Sequence, residues 1–533
     1  MSSFDYPTYP FVQSPDQEAL EPVRHPVVIV GAGPVGLTAA LDLADQGVPV
    51  VVLDDDDTVS YGSRAICWAK RTLEVWDRLG VVAPMMDKGV TWNLGKVYFG
   101  ADQVYAFNLQ PEGGQKFPAF INLQQYHVEY ELVAHAQRVE GIDLRWKSKV
   151  IAISQDEDGV LLHVDTPNGV YKVTADWVIA ADGVRSPVRR MMGLDFEGRI
   201  FEDRFLIADV RMKAEFPTER RFWFQPPFHS GASALLHRQA DDIWRIDLQL
   251  GWDANPDEEK KPERVVPRLK EMLGEDTQFE LEWTSVYTFQ CRRMDRFRHG
   301  RVLFAGDSAH VVSPFGARGG NSGIQDIDNL DWKLTAVIEG EADPSLLDAY
   351  DSERTFASDE NIGHSTRSTD FIAPKGPASR ALRDAVLTLS ARHDFARPMV
   401  NSGRLSTATN YPESPLNTPD SDAFAGEMRP GTAATNAPLR YQNGEIGYLL
   451  DGTGGKFAVL WFGDGAPPDL GLPTKPVSHE SDPEGLAWAR YDGEPGTAYL
   501  LRPDGHIAAR FRNAQSAQIH VARDRALGKG TAA

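Results

Sequence analysis

Gly31-Ala32-Gly33-Pro34-Val35-Gly36 has the glycine spacing that lets a backbone wrap around a phosphate. Gly31 permits a tight turn, Gly33 admits a pyrophosphate close to the chain, and Gly36 lets a helix pack tightly against a strand. Asp54 stands 23 residues beyond Gly31, about where a carboxylate meets a ribose hydroxyl. Two more acidic positions follow apolar runs, at Asp182-Gly183 and Gly306-Asp307. Beyond the second, Pro314-Phe315-Gly316-Ala317-Arg318-Gly319-Gly320 leads to Asn321 and leaves backbone N–H groups free to face a planar, electron-rich group. A helix N-terminus favours developing negative charge by about 0.3–2 kcal/mol. These residue types at this spacing predict dinucleotide binding, with FAD and NAD both open.

The elements that would position these groups are legible from periodicity. Residues 27–30 read as a strand, 37–46 as a helix stopped by Gly47, and 48–53 as a second, parallel strand. A strand ending near residue 180 delivers Asp182, after which Ser186 and Pro187 read as an N-cap and first helical residue. Residues 302–305 form a buried strand. Asn321 then caps a helix with Ile324, Ile327, Leu330 and Leu334 on one face and a stop near Gly340. Arg64 precedes a helix over 69–80, and Gln124 or Gln125 opens a helix within 121–138 where it can hydrogen-bond a polyol. Residues 204–250 and 278–293 are rich in β-branched and aromatic residues and predict a second, mostly antiparallel sheet. A helix follows over 341–360 and residues 371–430 read as loop-rich. A terminal unit begins near 425, with strands at 456–462 and on either side of the turn Arg502-Pro503-Asp504-Gly505.

The chain of 533 residues is long enough for about three domains. Its net charge of −21 argues against nucleic-acid or anionic-membrane surfaces. Cys67 and Cys291 are too few for a disulfide framework or a metal cluster, so no metal is expected and the reading is cytoplasmic. The first 25 residues lack a signal-peptide pattern, and no apolar run predicts a membrane span.

Gly31-Ala32-Gly33-Pro34-Val35-Gly36, Asp182-Gly183, and Gly306-Asp307 with its loop and Asn329-Leu330-Asp331-Trp332-Lys333-Leu334 occur here in one order. Together they resemble the single-component FAD-dependent aromatic hydroxylases (class A flavoprotein monooxygenases). The branch most alike is the phenol hydroxylase and 3-(3-hydroxyphenyl)propionate hydroxylase type. The resemblance implies an α/β fold: a Rossmann-like FAD-binding domain with a mixed sheet, an inserted antiparallel-sheet substrate domain, and a C-terminal thioredoxin-like domain. The bounds expected are an irregular arm at 1–25, FAD-binding segments at 26–200 and 294–370, the substrate sheet at 201–293, a linker at 371–424 and the terminal domain at 425–533. A redox Cys-x-x-Cys is absent from that terminal segment, which makes it a structural unit or the contact of a homodimer.

By the same resemblance, Gly31, Gly33, Pro34, Val35 and Gly36 hold the FAD pyrophosphate, and Asp54 and Asp55 lie at the adenosine ribose. Arg64, Gln125 and Val150 touch the cofactor, Asp182 and Gly183 lie by the pyrophosphate, and Gly306 and Asp307 meet the ribityl chain. The backbone of Gly319, Gly320 and Asn321 faces the flavin ring, Pro314 sits beside its reactive carbon, and Arg318 meets the flavin or the nicotinamide. The implied chemistry is reduction by transiently bound NADH or NADPH, addition of O2 to give a flavin C4a-hydroperoxide, and oxygen transfer to a small phenolic or activated aromatic ring. Water must be excluded, and a base within reach of the phenol is expected. Relatives carry an aspartate before the Arg-Thr-Leu-Glu helix where this chain has Ile66, so His229, His237 and Tyr287 are the candidate bases by residue type. Epoxidation, Baeyer–Villiger insertion and a non-catalytic nucleotide-binding module are the rival readings.

Overall fold

The computed structural model describes residues 4–530 apart from 215, 230, 401–404 and 442, and shows a mixed α/β fold with several sheets. Strand Val23–Val30 pairs in parallel with Val50–Leu53 on one side and Gly169–Ala180 on the other. Val302–Phe304 adds in parallel beyond Gly169–Ala180, and Ile142–Arg145 beyond Val50–Leu53. Val27 to Val30 are buried on both faces, which is why they read as an unbroken apolar run. Helix Pro34–Asp45 makes the crossover between the first two parallel strands.

This order brings three strand ends side by side. Ala181 N–H donates to the Val30 carbonyl at 2.9 Å, and Ala305 N–H to the Ala180 carbonyl at 3.0 Å. Gly31, Asp182 and Gly306-Asp307 therefore leave the same edge of one sheet, at the carboxyl ends where open α/β sheets bind ligands.

The first strand starts at Val23, not near 26, and the segment before it is pinned rather than free. Tyr9 stacks on Trp146 at 4.5 Å between ring centroids, and Ser14 caps the turn Pro15–Glu18.

The second sheet runs His310–Val311, Glu280–Arg293, Glu197–Arg211, Ile243–Leu250, Ser233–Arg238, Arg220–Phe224, Leu94–Phe99, Asp102–Asn108. Neighbours are antiparallel except Arg220–Phe224 with Leu94–Phe99. It extends past the expected 201–293 because residues 94–108 supply two strands, with Val97, Tyr105 and Phe107 completing its aromatic face. Side chains alternate across a strand, and here the two faces differ. Leu206, Ala208, Val210, Trp244, Ile246 and Leu248 pack on Val265 and Leu269 of helix Pro262–Leu273. The opposite face carries Phe205, Asp209, Arg245, Asp247, His237 and Tyr287, fixed by the pairs Phe205↔Tyr287, Asp209↔Arg245 and His237↔Arg245.

Helix Leu346–Ile372 is longer than the expected 341–360, and helix Pro377–Ser390 occupies the stretch expected as linker. Pro377 opens that helix and Val386 and Leu387 bury its inner face, an apolar signal hidden among Ser, Arg and Thr. Near the C-terminus, Ala458–Phe462 pairs in parallel with Thr474–Val477 and antiparallel with Ala498–Leu501, which pairs with Ile507–Phe511. Among the described residues, no helix is long and apolar enough to cross a membrane.

Candidate cofactor and substrate site

The glycine turn after Val30 is closed where it must be and open where a ligand would lie. Gly31 has φ +108°, and a Cβ there would sit 2.5 Å from the Ala181 carbonyl oxygen. A Cβ on Gly36 would lie 1.9 Å from the Gly31 carbonyl oxygen, whereas one on Gly33 would meet nothing within 4 Å. Helix Pro34–Asp45 has no side-chain cap, so the N–H groups of its first turn and the positive end of its dipole are left for an anion. Val35, in that turn, reaches the other half of the site: a Cβ on Gly306 would lie 2.9 Å from its Cγ2. One ligand crossing the glycine turn thus meets the Gly306-Asp307 turn as well.

The carboxylates around this cleft are not equivalent. Asp54 Oδ2 accepts from Ala32 N–H at 2.5 Å and Oδ1 from Asp56 N–H at 2.8 Å. It therefore ties the strand end to the glycine turn. Asp182 Oδ2 accepts from Val188 N–H at 2.9 Å, while its Oδ1 is buried without a partner. Ser186 caps the short helix Pro187–Met191, as its sequence predicts. Asp307 is solvent-accessible, and its carboxylate makes no hydrogen bond among the described residues. Desolvation by the surrounding protein raises Asp54, Asp182 and, although it opens to the cleft, Asp307 above the ordinary carboxylate value, with His310 and Arg64 opposing it at Asp307. An orphaned acceptor at Asp182, an unengaged carboxylate at Asp307 and an open backbone at Gly33 fit a ligand with a diphosphate and a string of hydroxyl donors.

The Gly306-Asp307 turn is held from behind by a residue the sequence did not flag. Asp326 Oδ2 accepts from Gly306 N–H at 2.8 Å and pairs with His310 Nε2 at 2.6 Å, and Oδ1 accepts from Arg354 Nε at 2.6 Å. Burial alone would raise Asp326, but His310 and Arg354 outweigh it and hold the group below its ordinary value. Arg189 donates to the Ser308 carbonyl at 2.7 Å from the other side.

Two expected roles change in detail. Asn321 does not cap its helix: Gly319–Ile338 begins two residues earlier, with Arg318 at the cap position. Its side chain instead accepts from Ala69 N–H (2.8 Å) and Thr72 Oγ1 (2.7 Å) and donates to the carbonyls of Cys67 (2.8 Å) and Ala317 (2.7 Å). The helix start is misplaced by sequence because Gly319 and Gly320 disfavour a helix by propensity, whereas the chain places them in its first turn. Gln125 opens helix Gln125–Ala136, yet its amide is engaged by protein. Oε1 accepts from Ala65 N–H at 3.1 Å, and Nε2 donates to Ser60 Oγ (3.2 Å) and Glu129 Oε1 (2.8 Å). Gln125 holds the loop that presents Arg64.

That loop is also gripped by the second sheet. Arg245 pairs with Asp209 at 2.8 Å through both Nε and Nη2, and donates to the carbonyls of Ser63 and Arg64. Arg64 in turn lies near the Tyr287 phenol, whose pKa burial raises. Tyr287 therefore shares a cleft with Arg64 and Asp307. His229 lies elsewhere: its Nε2 meets the Gln249 carbonyl at 2.6 Å, beside Arg268 and Glu271 on the helix-covered side, and burial lowers its pKa. That placement engages it in packing. His237 is fully enclosed, and burial with Arg220 and Arg245 drives it well below its ordinary value. Val150 is a buried strand residue opposite Val164, Asp55 is exposed, and Gly183 adopts φ +75° in the turn after Asp182.

Pro314 is exposed at the start of the glycine loop, and Ala317 N–H donates to its carbonyl at 3.0 Å. Phe315 points the other way, edge-on to Phe205 and Phe289 at 5.1 and 5.2 Å. Behind it opens a cavity of about 90 Å³, lined chiefly by Tyr105, Phe107, Phe222, Phe224, Arg220 and Arg318. Sequence reasoning missed Arg220, Arg245 and Asp247. The available signal was the alternation of Arg245, Asp247 and Gln249 with apolar residues along one strand, which marks a polar inner face.

A diphosphate cradle and a polyol-facing acid on one sheet edge define a protein that binds a flavin dinucleotide. The model of the FAD binding domain family matches residues 24–364; the chain belongs to that family, and FAD is its cofactor. It is 30% identical over 361 residues to the 3-(3-hydroxy-phenyl)propionate/3-hydroxycinnamic acid hydroxylase of Mycolicibacterium smegmatis, covering 68% of this chain and 64% of that protein. The chain thus matches less than two thirds of that relative's length. It is also 30% identical over 521 residues to a flavin-dependent monooxygenase of Mycobacteroides abscessus, covering 93% of this chain and 99% of that one. The crystal structure of the flavin-dependent monooxygenase PieE, in complex with FAD and substrate, shares the fold at a TM-score of 0.81 and 23% identity, over 96% of this chain and all of that one.

Proposed function

We propose that this chain is an FAD-dependent, NAD(P)H-consuming monooxygenase that hydroxylates a small phenolic or otherwise activated aromatic ring. The observation that supports the reading is a loop shared by two compartments. The loop that begins at Pro314 borders the cofactor cleft, and its next residues, Phe315 and Gly316, line the aromatic cavity. On this reading a ring in that cavity lies against the same loop as the cofactor. FAD supplies the oxygen-activating chemistry when bound. Phe222, Phe224 and Phe315 hold the ring and keep water out, which such chemistry requires. Arg64 and Tyr287 lie where a polar substituent of the substrate or the cofactor edge would be met. The hydroxylase name of the M. smegmatis relative and the monooxygenase name of the M. abscessus relative support the same class.

On this reading NADH or NADPH binds transiently, the sheet centred on Glu197–Arg211 is the substrate domain, and the segment from 425 is a thioredoxin-like unit in a homodimer of the cytoplasm. The test is a screen of phenols for stimulated NAD(P)H oxidation, with products analysed after turnover under labelled O2. A new ring hydroxyl carrying one labelled oxygen is expected. Absence of stimulation by every phenol, or a lactone or ester product, contradicts the reading.

A further inference from the structure

We propose that Asp247 is the group that accepts the proton of the phenolic substrate, an inference that rests on the hydroxylase reading above. Asp247 lies on strand Ile243–Leu250, opposite Ile207 on one neighbouring strand and Leu235 on the other. Phe222 pairs with Leu235 in turn, so Asp247 and the cavity-lining Phe222 look out from the same face of the sheet. Its Oδ1 is buried and has no hydrogen-bond partner among the described residues. The other acid of this face, Asp209, is held by Arg245 and Gln239. A buried acceptor left without a donor has given up its water without a replacement, so a donor there is favoured. Asp247 stands two strands over from the cavity-lining Phe222, with Leu235 between; the O–H of a phenol lying along this face supplies the missing donor.

The surroundings single out this group among the titratable residues of the face. Arg245 flanks it on its own strand, Asp209 faces it from Glu197–Arg211 and Arg220 from Arg220–Phe224. Cys67, from strand Cys67–Ala69, feels the same Arg220, Arg245 and Asp247. His237 stands across from Arg245, and Tyr287 lies further along, with Arg64. Burial drives His237 well below its ordinary value and pushes the Cys67 thiol to about 11. Both are neutral near pH 7 and poorly matched to the task. Burial pushes Asp247 up to about 6, with Asp209 adding and Arg245 and Arg220 opposing. A base whose pKa lies near the working pH combines an ionised population with useful basicity.

In the transfer, the phenol O–H bond breaks and the proton passes to Asp247 Oδ1. The electron pair stays on the ring oxygen and conjugates into the ortho and para carbons. No net charge enters or leaves the site, so the guanidinium groups of Arg220 and Arg245 that balance the carboxylate balance the phenolate afterwards.

The test compares holoenzyme and its Asp247→Asn variant on phenol and a series of ring-fluorinated phenols, whose hydroxyls grow more acidic with little change in bulk. Asp247→Asn should lower kcat/KM for phenol by on the order of 10²-fold or more, and the loss should shrink with each added fluorine. The acid limb of the wild-type profile, near pH 6, should vanish. Asp247→Glu should recover much of the rate. An equal loss on every phenol, or a wild-type rate, overturns the role of Asp247 while leaving the hydroxylase reading standing. Should Asp247→Asn emerge without flavin, the wild-type acid limb decides. A limb that stays fixed across the fluorinated series supports an enzyme base, and one that follows the phenol's own acidity overturns it. A wild-type holoenzyme stimulated by none of these phenols overturns the hydroxylase reading, and this proposal with it.

Discussion

Asp326 Oδ2 accepts the amide hydrogen of Gly306 at 2.8 Å, so a fully buried carboxylate on helix Gly319–Ile338 sets the turn that aims Asp307 into the cofactor cleft. The same helix begins at the glycine loop. Loop and turn are therefore two ends of one rigid arrangement, with His310 and Arg354 closing it at 2.6 Å each. Asp326→Ala would strand the Arg354 guanidinium in the interior, and breaking a buried pair in this way costs about 3–5 kcal/mol. A large drop in melting temperature together with loss of bound flavin is expected by calorimetry and absorbance. A variant that melts like the parent would show that the pair does not hold the turn.

Asp307→Ala tests the other side of that turn. Its carboxylate is exposed and has no protein donor among the described residues, so the substitution should leave folding intact. It should remove one or two charged hydrogen bonds to the cofactor, each about 1.5–3 kcal/mol. FAD affinity should fall by roughly tenfold to a hundredfold per bond, measured by titrating apoprotein. Unchanged affinity would refute the role.

Gly33 and Gly36 should separate cofactor binding from folding. At Gly36 a Cβ collides with the Gly31 carbonyl oxygen, so Gly36→Ala should fail to fold or melt far below the parent. At Gly33, with φ −77° and open space around a Cβ, alanine fits the protein and intrudes only where the pyrophosphate would pass. Gly33→Ala should give a folded protein depleted of flavin, by circular dichroism and absorbance. Equal folding defects in the two variants would contradict this division.

Stability should depend on pH differently with and without FAD. Asp54, Asp182 and Asp307 are all raised, burial first among the causes. A raised carboxyl binds its proton more tightly when folded. Its contribution is therefore complete below the ordinary value of 3.8 and drains away as pH rises through the elevated folded-state values. Apoprotein should gain melting temperature on going from about pH 7.5 to about pH 5, and more than holoprotein does, because cofactor donors stabilise the ionised acids. The reverse ordering, seen by scanning fluorimetry, would argue that these acids do not meet the cofactor.

Arg502 joins the C-terminal segment to the body of the protein by a buried fork. Nη1 and Nη2 reach the two carboxylate oxygens of Glu353 at 2.6 and 2.9 Å, and Lys333 reaches Glu353 at 3.0 Å. Deleting residues 425–533 would leave Glu353 and Lys333 without their cover, so the truncated chain should be poorly folded. Arg502→Met should cost about 3–5 kcal/mol. A soluble truncation that melts like the full chain would leave the segment as a separable appendage.

The cofactor half of the site was legible because it is local. A glycine turn, an acid after a strand and a capped turn at Ser186 are each specified by residues within a few positions of one another. Val23–Val30 and its neighbours were equally plain, since strands buried on both faces read as apolar runs. What escaped was contact between distant segments. Nothing near Asp326 in sequence announces Gly306, and nothing near Gln125 announces Ala65. The polar inner face at Arg245 and Asp247 shows only as alternation in an apolar strand, and its meaning depends on which strands flank it. Residues 94–108 went unassigned for the same reason. Their aromatic pattern makes sense only beside Arg220–Phe224, more than a hundred residues away.

We propose that three neighbouring strand ends hold a single FAD. Denaturing the purified protein and chromatographing what it releases tests this most directly, followed by titration of apoprotein with FAD and with FMN. One FAD per chain, with FMN bound far more weakly because it lacks the pyrophosphate-linked adenosine, is the predicted result. A protein that releases no flavin and takes up none would contradict it.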